Sequence, residues 1–396
     1  MNTVINTWAK ATFIAIISLN TLYGWQSPEV RGHFAVEARQ FFDKALDDRQ
    51  ESGGFTMILE PEMFWDIGDN HSFTLTPRLS LDQNDHERSK FDLREAYLQQ
   101  LYGEWEFRFG LAEVHWGQTE FVHLVNVINQ IDLIEGIDEE EKLGQMMIEA
   151  TTFIGDGTLQ AWVLPGFRER TFAGTAGRLR NIPNVDKDKT TYESSAGRYH
   201  TDFAARYSTF IRDWEVALSG FHGTHRMPRF RLKPDGSALR PHYLQTTQFS
   251  VDSVAAIDAW LIKFEGLYRH IDDEHHLAFT GGTEVTFVGI NPSGHDLGWI
   301  LELAWHSEDE QSAFASEIMS GFRWVFNDID STELLAGLIY DWERESQLYT
   351  LEASRRIGES LKIDIEGKFF RAIDSRDLLY SFRQDSHLMA QLSYFF

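Results

Sequence analysis

The sequence predicts an all-β fold: a transmembrane up-and-down antiparallel β-barrel of about 18 strands, with 16 as the nearest alternative. Three observations carry this. Apolar and polar residues alternate along many segments, short turns alternate with long connections, and the last residues form an alternating strand that ends in phenylalanine.

The alternation is clear at both ends of the chain. From Ser72 to Asp82, one face carries Ser72, Thr74, Thr76, Arg78, Ser80 and Asp82, and the other carries Phe73, Leu75, Pro77, Leu79 and Leu81. Trp105, Phe107, Phe109 and Leu111 alternate with Glu106, Arg108, Gly110 and Ala112. Lys362, Asp364, Glu366 and Lys368 alternate with Leu361, Ile363, Ile365, Gly367 and Phe369. Read throughout, the pattern places strands at 32–40, 54–66, 71–82, 91–102, 104–113, 146–154, 158–166, 198–210 and 213–223. It continues at 242–254, 259–270, 275–288, 296–306, 312–326, 332–342, 347–357, 361–373 and 385–396.

Short turns fall at Gly68-Asp69-Asn70, Gly103-Glu104, Gly155-Asp156-Gly157, Arg212-Asp213, near Asp258, at Asn291 to Asp296, at Asn327 to Ser331 and at Gly358-Glu359-Ser360. Longer connections, including 114–145, 167–197 and 223–240, lie between them. Long extracellular loops opposite short periplasmic turns are what an outer-membrane barrel requires, and a sandwich gives no reason for such alternation. Trp65, Trp105, Trp214, Trp260 and Trp299 sit next to short turns, where an amphipathic indole suits the bilayer interface.

Residues 1–24 read as a signal peptide: Lys10 precedes the apolar Ala11 to Leu19, and Gly24 supplies a small residue at the cleavage point. That apolar run is shorter than the roughly 20 residues a membrane helix needs. The barrel then occupies 25–396, and the expected location is the cell outer membrane. Of 396 residues none is cysteine, which excludes a disulfide framework, Cys-ligated zinc and haem attached through C-x-x-C-H. The net charge of -25 argues against a nucleic-acid partner.

With apolar faces toward lipid, the expected pore lining includes Arg78, Glu106, Arg108, Glu149, Asp202, Arg206, Glu317, Arg323, Lys362, Asp364, Glu366 and Lys368. Each would cost several kcal/mol in lipid, roughly 2–4 for a midplane Arg or Lys. A wet, cation-favouring pore and a lattice of salt bridges bracing the wall both fit these residues.

The connection 114–145 follows the fifth strand and is expected to fold inward as a constriction carrying Trp116, Asn129, Asp132, Glu135, Asp138 and Glu139. Phe121, Leu124, Val125 and Ile128 recur at a spacing that predicts a short helix within it. Its acidic residues read chiefly as a solvated tip, with a cation ring or divalent-ion site beside that reading. Basic residues gather in two further loops expected on the outer surface: Arg168, Arg170, Arg178 and Arg180, then Arg226, Arg229 and Arg231. They suit lipopolysaccharide phosphates, an anionic solute or the acidic loop equally well. The pairs His275-His276 and His222/His225 read as exposed histidines, so no metal site and no cofactor are expected.

Four stretches make one pattern: Leu93-Arg94-Glu95-Ala96-Tyr97, Arg108-Phe109-Gly110, Trp116-Gly117, and Asn126 through Asp132. Together they resemble an uncharacterised family of proteobacterial outer-membrane β-barrels, porin-like in character, with L-R-E-A-Y, W-G and D-x-x-N-P-x-D elements. Asn126 and Gln130 stand where that pattern has Asp and Pro. The resemblance implies an inward-turned loop and association with lipid- or hydrocarbon-handling export systems. The terminal His387 to Phe396 resembles the final strand of outer-membrane proteins, which implies recognition of Phe396 by the barrel-assembly machinery.

The function expected first is a porin-like channel for small solutes, embedded in outer-membrane lipid and lipopolysaccharide. An outer-membrane export component with a periplasmic partner, and a sheath for a periplasmic electron carrier, are the alternatives. Ser, His and Asp are too plentiful for spacing to single out a catalytic triad, and no catalytic residue is assigned.

Overall fold

Alternating faces have one stable arrangement in a bilayer: the sheet must close so that no backbone group is left unpaired in lipid. The computed structural model describes residues 27–307 and 316–396, and within them the chain does close. Eighteen antiparallel strands form one barrel. They are β1 Glu29–Phe41, β2 Gly53–Asp66, β3 His71–Asp82, β4 Lys90–Tyr102, β5 Trp105–Ala112 and β6 Gln145–Ile154. Next come β7 Gly157–Pro165, β8 Thr201–Ile211, β9 Trp214–Thr224, β10 Gln245–Ile257, β11 Trp260–Ile271 and β12 Glu274–Phe287. The last six are β13 Asp296–His306, β14 Ser316–Val325, β15 Glu333–Asp341, β16 Gln347–Ile357, β17 Leu361–Arg371 and β18 His387–Phe395. Every strand read from the sequence has its counterpart, so 18 stands rather than 16. The expected signal peptide and the start of the fourteenth expected strand lie outside the described residues.

Each strand pairs with its sequence neighbours, and β1 closes the barrel by pairing with β2 and β18. Gly32 and Phe396 exchange two backbone hydrogen bonds of 3.1 Å at the foot of this seam. Phe91, Phe153, Phe249, Phe279, Leu303, Phe322, Leu392 and Tyr394 are exposed on the outer face. Glu149, Asp202, Asp252, Glu265, Glu302 and Glu317 are buried within. An apolar exterior around a charged interior is the reverse of a soluble protein, and it places the barrel in the outer membrane.

Two features differ from the expected pattern. The outer side is not uniformly long-looped, because β11 and β12 meet there through Asp272 and Asp273 alone. Trp105 and Trp260 are exposed as interface residues should be, but Trp65 is buried against Phe73, with ring centroids 5.6 Å apart.

The loop between β5 and β6 contains no helix. It is irregular apart from a ribbon pairing Gln130–Ile131 with Lys142–Leu143. A second small sheet, Thr191–Tyr192 with Leu239–Tyr243 and Arg229–Leu232, joins the two long outer loops above the barrel mouth.

Candidate functional site

The loop spanning 113–144 leaves the barrel rim and crosses the interior. On one wall, Trp116, Val125 and Ile128 pack with Met147, Trp162, Leu164, Ala204 and Phe221 of β6 to β9. On the opposite wall, Phe121, Val122 and Ile137 meet Ala304, Met319, Ile339, Leu348 and Phe370 of β13 to β17. The apolar residues that suggested one helical face therefore serve two different walls.

The backbone of the crossing segment is tied down by wall carboxylates. Glu265 on β11 accepts from the N–H groups of Gln118 (2.7 Å), Thr119 (3.2 Å) and Val125 (3.2 Å), and from the Thr119 hydroxyl (2.8 Å). Glu302 on β13 accepts from Glu120 N–H (2.9 Å) and Phe121 N–H (3.2 Å). A helix would have used those donors internally; the loop gives them to the barrel instead. Gly117 makes this approach possible, because its φ is +119° and a Cβ there would lie 2.7 Å from the Glu265 carboxylate. Phe121 lies over Gly321 and Gly337 on the far wall, where a Cβ at Gly337 would come within 3.2 Å of the ring.

The base of the loop is clasped by Asn129. Its amide accepts from Val114 N–H (2.8 Å) and donates to the carbonyls of Ala112 (2.9 Å) and Leu143 (3.0 Å). Arg226 donates to the Ile128 carbonyl at 2.7 Å. Among the expected constriction residues, Asp132 is wholly buried, bonded to Lys90 (2.5 Å), Arg94 (2.8 Å) and Thr171 (2.7 Å). Glu135 lies 3.2 Å from Arg78, 3.5 Å from Lys90 and 3.7 Å from Arg88. Asp138 pairs with Lys368, and Glu139 lies 3.4 Å from Arg170. Trp116 packs edge-on against Trp162 with Arg206 above it.

Asp132 and Glu135 are therefore not part of a solvated tip: they neutralise a basic cluster on β3, β4 and the turn between them, while Glu140 and Glu141 stay exposed. Burial alone would push Glu135 up, but Arg78, Arg88 and Lys90 outweigh it and hold it down at about 2. Glu113, at the rim, has less compensation, and burial raises it to about 7 against the pull of Arg94. Burial lowers the His123 imidazole, but its 3.1 Å hydrogen bond to Glu140 and that carboxylate's charge leave it above the ordinary histidine value.

All the expected pore-lining residues fall on inward register positions. Arg108 lies 3.4 Å from Glu149, and Arg206 forms a two-pronged pair with Asp252. Asp202 pairs with Arg226 and His200, each at 2.8 Å. Arg323 pairs with Glu120, Lys362 with Asp364 (2.7 Å) and Lys368 with Glu366 (2.9 Å). Glu317 is buried on β14, and Glu106 lies lower on β5.

Most of the expected outer-surface arginines turn inward instead. Arg168 pairs with Asp92 (2.6 Å), Arg178 with Asp385 (2.6 Å) and Arg180 with Asp47 (2.8 Å). Arg170, Arg178, Arg180 and Arg226 are buried, and Arg229 pairs with Asp272. Arg231 alone of the seven is exposed. These loops consume their charges in bracing one another and the rim.

Glu265 and Glu302 lie on the inward faces of β11 and β13, but no local pattern marks them as anchors of the loop. The resembling segments form one docking unit: Arg94 of β4 holds Asp132, Arg108 lies over the Tyr97 ring at 4.9 Å, and Asn129 clasps the loop base.

Beside the bridge a chamber of about 160 Å3, with Lys142, Arg170, Arg226 and Arg269 in its lining, lies toward β9 to β13, and two more lie along β14 to β18. One, of about 480 Å3, lies between the loop and β15 to β17 and is lined by Glu120, Phe121, Asp138, Ile339, Glu352 and Lys368 among others. The second, of about 260 Å3, carries Arg323, Glu333, Lys362, Asp364 and Glu366. Leu335 and Glu352 line both.

A closed 18-strand barrel with an inward loop has the fold of outer-membrane porins. The chain is similar in structure to a BenF-like porin from Pseudomonas fluorescens Pf-5, with a TM-score of 0.56 and 10% identity over 94% of this chain and 98% of that one. It is also similar to OccAB1 of Acinetobacter baumannii, with a TM-score of 0.55 and 7% identity over 93% of this chain and 96% of that one. No protein-family model matches the sequence, and no curated protein matches it.

Proposed function

We propose that this protein is a passive outer-membrane channel for small solutes, narrowed by the 113–144 loop and preferring cations. The observation that carries the reading is the unequal division of charge across the bridge. On one side the basic cluster of Arg78, Arg88, Lys90 and Arg94 is neutralised by Asp132, Glu135 and neighbouring carboxylates. On the other side the two adjoining chambers hold Glu120, Asp138, Glu140, Glu333, Glu352, Asp364 and Glu366 against Arg323, Lys362 and Lys368. A low-dielectric wall focuses such an excess along the lumen and enriches cations there. A sheath around an electron carrier would need a lumen free of the bridge, so the channel reading is favoured over it.

The test is single-channel conductance of refolded protein in planar bilayers, with reversal potentials in a salt gradient. Steady ohmic steps with a reversal potential on the cation side are expected. Silence from correctly folded protein would overturn the reading and bring forward an export role, tested by co-purification with periplasmic partners.

A further inference from the structure

The larger chamber is two-sided in chemistry as well as shape. Phe121 from the loop, Ile339 from β15, Leu348 from β16 and Leu379 from the last outer loop give it apolar surface. These residues also seat the loop on this wall, and the face they leave free opens on the chamber. Opposite it stands Glu352, which among the described residues has no hydrogen-bond or ion-pair partner. Glu352 faces Glu366 directly across the β16–β17 ladder, an arrangement of like charges that destabilises a sheet unless a cation relieves it. The nearby Lys368 is already shared between Asp138 and Glu366. The position offers a carboxylate without an ion-paired cation of its own, beside a hydrocarbon wall, where the two chambers meet.

We propose that this chamber is a binding subsite for organic cations: an ammonium group meets Glu352 while an apolar body lies against Phe121, Ile339 and Leu348. The inference rests on the channel reading and names the solute class it serves. An aromatic or alkyl ammonium gains both contacts, a small symmetric ammonium gains only the charge, and an aromatic anion is repelled.

The experiment is block of potassium current through the full-length refolded channel by benzyltrimethylammonium, tetramethylammonium and benzenesulfonate. Benzyltrimethylammonium should half-block at a concentration roughly tenfold below tetramethylammonium, the ratio expected for burying part of one aromatic ring. Benzenesulfonate should not block. Glu352→Gln should weaken block by both cations, while Phe121→Leu should weaken only that by the benzyl compound. Heat-modified gel mobility of each variant verifies that the barrel has formed. Equal block by all three probes, or block untouched by both substitutions, overturns the subsite and leaves the channel standing. Absence of potassium current from folded protein overturns the channel reading and the subsite together.

Discussion

Glu265 shows how a single side chain can decide what a barrel encloses. Its buried carboxylate is matched by three backbone N–H groups and a hydroxyl from the crossing loop. Removing it leaves donors that cost about 1–3 kcal/mol each when orphaned in a dry site. Glu265→Ala is therefore expected to loosen the crossing and to give larger, noisier conductance steps than the parent channel, read from single-channel traces. Period-two alternation places Glu265 inside, but its partners lie about 140 residues earlier in the chain, beyond the reach of any local pattern. Glu113 offers a second test at this scale. Its carboxyl is raised to about 7 by burial, so the folded barrel bears no penalty from it below the ordinary carboxyl range. The penalty grows as pH rises toward 7 and is constant above it. Glu113→Gln should consequently raise the temperature of heat modification at pH 8 and leave it unchanged at pH 4, as measured by gel mobility.

At the scale of elements, the loop is where sequence reading and structure part. Its inward course was legible from its position after the fifth strand, but its conformation was not. Helical spacing of Phe121, Leu124, Val125 and Ile128 describes a face only if one surface receives it. Here Val125 and Ile128 go to β6–β9, while Phe121 goes to β13–β17. The acidic tip was misread for a related reason: Asp132 is neutralised by Lys90 and Arg94 about 40 residues earlier, and Asp138 by Lys368, 230 residues later. Two outcomes follow. Asp132→Asn combined with Glu135→Gln unmasks the basic cluster on β3 and β4, and reversal potentials should move toward anions. Gly337→Val places branched carbon against the Thr350 hydroxyl, 2.9 Å from a bare Cβ, and against the Phe121 ring at 3.2 Å, and should lift the loop from that wall. Its conductance should increase while the barrel keeps its heat-modifiable mobility.

For the whole molecule, the strand count was readable because lipid imposes a simple rule on every strand: apolar outward, polar inward. β18 follows it through Leu392 and Tyr394, exposed on the outer face, and Phe396 is exposed just beyond the strand. If Phe396 is the address read by the assembly machinery, its deletion should lower the amount of barrel in the outer membrane of growing cells. The same deletion should leave refolding in detergent nearly unchanged, because only the bonds to Gly32 at the foot of the seam are lost. A merely structural role for the terminal residue would impair both.

The bridge also has a consequence for the order of events in assembly. Four of its anchors, Glu265, Glu302, Arg323 and Lys368, belong to strands that follow the loop by roughly 150 to 230 residues. Contacts so distant along the chain form late, once the hoop of strands has brought the two walls face to face. The narrow passage is therefore the last thing made. A barrel caught on the way to completion is a wide hole, so vesicles should leak most during refolding and tighten as the loop comes to rest.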